Sequence, residues 1–280
     1  MSRPQVSLEN FEAVYDYYES HKQNQVFAMF GHAVLSRVYK PTISFAEDGA
    51  AKEAISQEFS AGTRLVISPN HLTEDDQYVI VSVVQREEVL HPLRGHTFIP
   101  SKPSLFTRPL RQGGPILRRM IDGLGAIPIV RLEDLDRQGI AITPEIEELH
   151  RKAMLRADEI QVSKLVEQGN HMAGFWEGTR NREDHTKVQR LKKGIGYTVC
   201  KAAEDVDVSI VPVGVCYGGK PTDYKKLAVP HKYTPHVHVH IGMPFRVETT
   251  SPEELVQVVH PAIQGCVDVA VNASMVRAAS

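Results

Sequence analysis

The sequence has few cysteines and no surplus of charge of either sign. Its three cysteines, Cys200, Cys216 and Cys266, are widely spaced and form neither a Cys-x-x-Cys pair nor a zinc-ligand spacing. We therefore expect reduced, mostly buried thiols, as in a cytoplasmic protein. The 32 basic and 34 acidic residues give a net charge of −2. This balance argues against a nucleic-acid partner, because a surface that coats nucleic acid carries excess positive charge.

Long apolar runs are also missing from the sequence. A membrane-spanning helix needs about 20 consecutive apolar residues, whereas the most apolar helical stretch, residues 26–38, is shorter and carries His32 and Arg37. Residues 1–20 contain no apolar segment typical of a secretory signal peptide. We therefore expect a cytoplasmic location. Peripheral contact with the inner face of the membrane stays open, because the N-terminal aromatic residues fit either a membrane interface or packing on the core.

Apolar residues follow a helical spacing at the start of the chain and alternate with strand-like runs afterwards. The spacing over residues 11–18 is that of a helix, and Pro41 ends the helical pattern. This predicts a helical N-terminal appendage over residues 1–45. Residues 46–280 alternate strand and helix patterns, which predicts an α/β domain with a mostly parallel mixed sheet flanked by helices. Strands are expected at 65–68, 95–99, 126–130, 172–176, 209–214 and 236–242, and later helices at 77–88, 116–124, 144–167, 194–203 and 253–271.

A histidine and an aspartate lie five residues apart after the first of these strands. A tight turn there could return the carboxylate of Asp76 to the ring of His71. The carboxylate would accept the Nδ1 proton and leave Nε2 as a general base, so the nucleophile would be a substrate hydroxyl or water. Asp75 is an alternative partner. The same residues also fit a simpler role, in which Thr73 or Asp76 caps the next helix.

Two arginines follow two other predicted strands. Arg131 and Arg180 would then lie at the same edge of the sheet, and a guanidinium group binds phosphate or carboxylate through two parallel hydrogen bonds. Glu177 could hold Arg180 or structure the loop. A basic run follows Arg180, which favours an anionic ligand, although a solvated surface fits the run equally well. Pro212 lies in a strand that should be central, so we expect an irregular strand end there.

In this order the segments resemble the glycerolipid acyltransferases, which include glycerol-3-phosphate and 1-acylglycerol-3-phosphate acyltransferases. The resemblance covers residues 62–245. The family's four motifs are Asn-His-x4-Asp, an apolar strand ending in arginine, Phe-x-Glu-Gly-Thr-Arg, and an apolar strand with a central proline. They are matched by Asn70, His71 and Asp76, by Arg131, by Phe175, Glu177, Gly178, Thr179 and Arg180, and by Val211, Pro212 and Val213.

The resemblance implies an O-acyltransferase of phospholipid synthesis without cofactor or metal. His71 would deprotonate an acceptor hydroxyl, Asp76 would orient His71, and the alkoxide would attack the thioester of acyl-CoA or acyl-carrier protein without a covalent acyl-enzyme. The acceptor phosphate would be held by the arginines and their loop. The implied phosphate-binding set is Arg131, Glu177, Gly178, Thr179 and Arg180, and the implied further contacts to donor or acceptor are Lys102, Lys192 and Lys193.

Several alternatives stay open at this point. The first motif looks like the plastid-type glycerol-3-phosphate enzymes and the third like the 1-acylglycerol-3-phosphate enzymes, so the acceptor is undecided. Acyl-chain length, the kind of thioester donor and the oligomeric state are also undecided. A thioester hydrolase and a non-catalytic lipid-phosphate binding module are the rival functions. His236, His238 and His240 alternate along one strand, and we expect an exposed polar face there, not a metal site.

Overall fold

The computed structural model describes residues 3–107, 114–136, 139–218 and 237–278. The helices in these residues are α1 Phe11–Ser20, α2 Gln25–Val38, α3 Ala50–Ser60, α4 Asp76–Arg86, α5 Gly114–Gly123, α6 Leu132–Asp136, α7 Pro144–Val166, α8 Gly194–Ala202 and α9 Pro252–Ala278. The strands are β1 Thr42–Phe45, β2 Arg64–Pro69, β3 Thr97–Ser101, β4 Ala126–Pro128, β5 His171–Ala173, β6 Val208–Cys216, β7 His238–Ile241 and β8 Phe245–Arg246. Short 3-10 helices lie at Glu47–Gly49, Glu88–Leu93 and Pro103–Leu105.

The described strands form one mixed, mostly parallel sheet. Their order is β1-β7-β6-β2-β5-β3-β4, and β8 pairs with β6. β6 is antiparallel to β7 and β8, whereas the other pairs are parallel. The predicted α/β fold is thereby confirmed. Because β2, β5, β3 and β4 are neighbours and parallel, the loops that follow them all leave the sheet at one edge.

Helices cover both faces of the sheet. Side chains alternate along each strand, so that Val208 and Ile210 of β6 enter one buried cluster, and Val211 and Val213 enter the other. The first cluster is completed by α1, α7, α8 and α9, and the second by α2, α3 and α4. Burying each such aliphatic side chain contributes about 1.5–3 kcal/mol. Burial on both faces explains why the central strands have continuous apolar sequences.

The N-terminal helices differ in how they pack. In α1, the hydroxyl of Tyr15 donates to the carbonyl oxygen of Pro128 at 3.1 Å, and that of Tyr18 donates to Oδ1 of Asp122 at 2.6 Å. Core packing is therefore confirmed for α1. The outer face of α2 is exposed, with Val26 at 79% and Phe30 at 66% exposure. Within the described ranges, no helix is long and apolar enough to cross a membrane.

The boundary at residue 45 stays a prediction, but the sheet includes the end of that N-terminal segment. Residues 42–45 form β1, which pairs with β7 in parallel. β1, β8 and α3 were not predicted from the sequence. The prediction of buried thiols is confirmed, since all three cysteines are free and buried.

Two expectations about the last strands are wrong. His238 and His240 are 6% and 8% exposed, because helices cover both faces of the sheet; His236 lies outside the described residues. Pro212 does not end its strand, since β6 continues to Cys216. The proline lies where the antiparallel partner of β6 changes from β8 to β7, so its missing N–H interrupts no ladder.

Candidate active site

His71 and Asp76 form a hydrogen-bonded pair at the carboxyl edge of the sheet. Nδ1 of His71 lies 2.8 Å from Oδ2 of Asp76. Asp76 is the first residue of α4, but its Oδ2 accepts hydrogen bonds from the backbone N–H groups of Leu72 and Thr73, at 2.6 and 2.9 Å. The carboxylate therefore points back to the loop that carries His71. This geometry favours the general-base interpretation, and the partner is Asp76 rather than Asp75.

The second oxygen of Asp76 is also bound. The Oγ1 hydroxyl of Thr73 donates to Oδ1 at 3.0 Å, and the hydroxyl of Tyr217 donates to it at 2.7 Å. Tyr217 directly follows β6 and is fully buried beside the carboxylate, so burial and the charge of Asp76 raise the pKa of its hydroxyl well above the usual value. Asp76 is itself 0% exposed. The carboxylate thus has a fixed position from which it can orient the histidine.

The ring of His71 is held from a second side by Phe175. The two rings stack with centroids 4.1 Å apart and an angle of 21° between their planes. Nε2 of His71 has no hydrogen-bond partner among the described residues, and the side chain is 19% exposed. The ring is therefore oriented by Asp76 and Phe175, which leaves Nε2 as its unpaired nitrogen among the described residues.

Glu177 joins the loop after β5 to the loop after β2. Its Oε1 accepts a hydrogen bond from the backbone N–H of His71 at 2.7 Å, and its Oε2 accepts one from the N–H of Gln189 at 2.9 Å. Burial, aided by the charge of Asp76, raises the pKa of Glu177 to about 7, although the two backbone donors oppose the shift. At 2% exposure, this carboxylate is better placed to position His71 than to contact a phosphate.

Arg131 braces the loop after β5. Its Nε and Nη2 donate to the two carboxylate oxygens of Asp134, each at 2.7 Å. Its Nη1 donates to the carbonyl oxygen of Gly178. Gly178 has a φ of +67°, which favours glycine, and a Cβ there would lie 3.3 Å from Cγ of Lys192. The hydrogen bond from Arg131 therefore stabilises the tight turn at Gly178, and the same bond holds the guanidinium group in place.

Arg180 lies at the same edge of the sheet and forms an ion pair with one exposed carboxylate, that of Glu74. Its Nη1 donates to Oε1 of Glu74 at 2.7 Å, and Glu74 is 72% exposed. An exposed ion pair of this kind is worth about 0–1 kcal/mol. A phosphate group can therefore displace Glu74 from Arg180 at little cost in free energy. Displacing Asp134 from Arg131 means breaking a bidentate ion pair.

The remaining predicted contacts lie around these two loops. Thr179 is partly buried, with Oγ1 3.5 Å from Oε1 of Gln189. Lys102 directly follows β3 and is partly buried. Lys192 and Lys193 are exposed and face acidic side chains. Lys102 thus leaves the sheet at the same edge as the histidine loop.

An apolar cavity of about 130 Å³ lies beside this edge. α2, α4 and α5 line it together with the sheet, and so does Phe175, the residue stacked on His71. Its walls include Ala28, Leu35 and Ile80. An aliphatic chain in this cavity would therefore end next to the histidine.

The positioning roles of three residues were not predicted from the sequence. The contact of Tyr217 with Asp76 joins residues 141 positions apart, a separation that no local pattern reveals. Asp134, three residues after Arg131, could have been found from helical i,i+3 spacing. Glu74 lies inside the first motif, but its partner Arg180 is remote in sequence.

Comparison with known families decides the class of the protein. The family described as Acyltransferase matches residues 51–216, which is more than half of the chain. The chain belongs to this acyltransferase family. None of the curated proteins compared with the chain matches it. The resemblance to the glycerolipid acyltransferases is thus confirmed, and the matched range contains His71, Asp76, Arg131 and Arg180, so the acyltransferase carries its candidate site inside the family domain.

Proposed function

We propose that this acyltransferase moves a fatty acyl group from acyl-CoA or acyl-carrier protein to a hydroxyl of 1-acylglycerol-3-phosphate or glycerol-3-phosphate, in phospholipid synthesis. The observation that carries the proposal is that His71 is hydrogen-bonded to Asp76 and stacked on Phe175, which also lines the apolar cavity. Phe175 thus contacts both the proposed base and the proposed chain-binding cavity. The reaction needs no cofactor beyond the acyl donor, and we place it in the cytoplasm; peripheral contact at the inner membrane face stays an open alternative.

The mechanism follows from the position of each group. Nε2 of His71 takes the proton of the acceptor hydroxyl, and the oxygen attacks the thioester carbonyl to form a tetrahedral intermediate. The intermediate expels the thiolate, which takes the proton back from the imidazolium, so the products are an ester and a thiol. Asp76 stabilises the imidazolium and keeps the proton on Nδ1. Holding both substrates at one base supplies the positioning that accelerates the attack.

The two arginines have different roles in this proposal. Arg180 binds the acceptor phosphate after displacing Glu74, whereas Arg131 keeps the Gly178 turn in place through Asp134. Thr179 and the exposed lysines Lys192 and Lys193 lie close enough to this loop in sequence to contact either anionic substrate. Lys102, at the end of β3, is the corresponding contact on the neighbouring strand.

The test is product identification with purified protein. Labelled oleoyl-CoA is offered with glycerol-3-phosphate, 1-acylglycerol-3-phosphate or no acceptor, and the lipid product and the released thiol are both measured. Acyl ester formed with one phosphorylated acceptor supports the proposal. Thiol release that is unchanged by either acceptor would instead identify a thioester hydrolase.

His71→Ala distinguishes catalysis from binding alone. General-base catalysis contributes about 10²–10⁴-fold, so the variant should lose at least about a hundredfold in kcat. His185→Ala is the control, because this partly buried histidine lies on the loop after the third motif. A loss smaller than about tenfold in His71→Ala would contradict the base role and favour a binding module.

A further inference from the structure

A second cavity, of about 470 Å³, lies at the opposite edge of the sheet. Its walls come from the residues where β3, β4 and β5 begin, from the end of α7 and from the connection between α1 and α2. The loops that carry His71 and Arg180 leave the other ends of parallel strands. The described residues of those two loops do not line this cavity, although Gly95 and Ala126 line both it and the apolar cavity.

Lys164 is a buried cation in the wall of this cavity. The residue is 5% exposed, and its Nζ donates to the carbonyl oxygen of His21 at 3.1 Å and to Oε1 of Gln168 at 3.3 Å. It forms no ion pair with any described residue. Burial lowers its pKa to about 8. Lysine is almost never this buried without an anionic partner, and its ammonium group has three donors, so one donor and the charge are left for a ligand.

Two carboxylates near Lys164 hydrogen-bond to other groups, although the charge of Glu19 opposes the effect of burial on the pKa of the lysine. The carboxylate of Glu19 accepts a 2.6 Å hydrogen bond from Arg156. Glu167 lines the cavity but is exposed, and its Oε2 accepts a hydrogen bond from Ser163. Lys22, by contrast, adds a second cation to the lining. Lys164 and Lys22 are therefore the two lysines that can meet an anionic group at this wall, beside the one carboxylate, Glu167, among the described lining residues.

Gln23 lines the same cavity and has a side-chain oxygen without a hydrogen-bond donor. Its Nε2 faces the carbonyl oxygens of Thr97 and Leu124, and two acceptors on this atom fix the orientation of the amide. Its Oε1 is left buried without a donor. Buried acceptors in native proteins are normally satisfied. Among the described residues, the cavity wall thus holds a buried cation without an ion pair and a buried acceptor without a donor.

We propose that this cavity binds a small phosphorylated polyol, with its phosphate group on Lys164 and Lys22 and a hydroxyl group donating to Oε1 of Gln23. A sugar phosphate carries a phosphate group and hydroxyl groups in one small molecule. Inorganic phosphate supplies the charge but is too small to contact the lysines and Gln23 together. The site makes no use of His71 or Arg180, so it stands independently of the acyl-transfer proposal.

The test is calorimetric titration of the full chain with glucose 6-phosphate, ribose 5-phosphate and inorganic phosphate. We expect one equivalent of a sugar phosphate to bind, and inorganic phosphate to bind more weakly. Lys164→Met, which keeps the length of the side chain, should weaken binding at least about tenfold because it removes a charge-assisted hydrogen bond. Arg180→Ala should leave binding unchanged, since that residue belongs to the active site.

Three results would overturn the proposal: no binding of any probe, equal binding by Lys164→Met, or a loss in Arg180→Ala alone. Acetylation of the wild-type protein with acetic anhydride needs no variant and covers the case in which Lys164→Met fails to fold. We expect glucose 6-phosphate to protect Lys164 and Lys22 but not Lys152, an exposed lysine of α7. Equal labelling with and without the sugar phosphate contradicts the site.

Discussion

The hydroxyl of Tyr217 donates a 2.7 Å hydrogen bond to Oδ1 of Asp76, the carboxylate oxygen that does not contact His71. Tyr217 directly follows β6, whereas the His71 loop directly follows β2, and these two strands are paired. The residue after β6 therefore holds the carboxylate that is hydrogen-bonded to His71. The apolar sequence of β6 does not reveal this contact.

Tyr217→Phe should lower kcat without changing the KM of either substrate. A hydrogen bond to a charged group is worth about 1.5–3 kcal/mol, but Leu72 and Thr73 still hold the carboxylate, so we expect a loss of about tenfold. Steady-state kinetics measures the effect. Tyr15→Phe is the matched control, because it removes another buried tyrosine hydroxyl, one that donates to the carbonyl oxygen of Pro128 and contacts neither His71 nor Asp76. Equal losses of kcat in both variants would show that the effect is only structural.

Arg180→Ala should raise the KM of the phosphorylated acceptor by about tenfold or more and leave kcat less affected, because it removes a charge-assisted hydrogen bond to the phosphate. Arg182→Ala is the control, an exposed arginine on the same loop. Acceptor titration at saturating acyl donor measures both. An unchanged KM in Arg180→Ala contradicts its assignment to the phosphate.

Arg131→Ala should behave differently from Arg180→Ala, because Arg131 braces the turn at Gly178. We expect lower kcat and a lower melting temperature, and Asp134→Ala should reproduce both effects. The double variant should then cost less than the sum of the single variants, since the residues act as one pair. Additive losses would show that Arg131 and Asp134 act independently, and Arg131 would then be available as a second phosphate ligand.

The buried carboxyl of Glu177 predicts a pH-dependent stability. Its pKa is raised from 4.5 to about 7 in the folded protein, so the native state binds the proton more tightly than the unfolded state. The contribution of Glu177 to stability is therefore greatest below about pH 4.5 and falls as the pH rises to about 7, by at most about 1.4 kcal/mol per pH unit.

Glu177→Gln removes this titration. Unfolding free energies measured across this pH range should show the wild type losing stability relative to the variant as the pH increases. Asp158→Asn is the control, because burial raises the pKa of Asp158 to about 6 and its effect should end at a lower pH. A difference between wild type and Glu177→Gln that does not change with pH would refute the raised pKa.

The sequence predicts the parts of this site that depend on local order, and misses those that depend on distant packing. His71 and Asp76 are five residues apart, and Arg131 and Arg180 follow apolar strands, so parallel-strand geometry alone brings them to one edge. The contact of Tyr217 with Asp76 and the burial of His238 depend on which strands become neighbours. The amphipathic pattern of α1 gave its helix but not its buried hydrogen bond to Asp122.

The apolar cavity predicts which residue limits the length of the acyl chain. Ala28 on α2 is 1% exposed and lines the cavity, so Ala28→Phe should fill part of it and shift preference from oleoyl-CoA towards decanoyl-CoA. Relative kcat/KM for the two donors measures the shift. Overpacking costs about 1–3 kcal/mol of stability, so the ratio of the two donors is more informative than the absolute rate.

Met29→Phe is the matched control on the adjacent position of the same helix, where the side chain is 54% exposed and points away from the cavity lining. It should leave the ratio of oleoyl to decanoyl transfer unchanged. If Ala28→Phe slows both donors equally, the chain does not extend to α2. If Met29→Phe changes the ratio instead, the chain lies on the outer face of α2, and the exposed Val26 and Phe30 become its contacts.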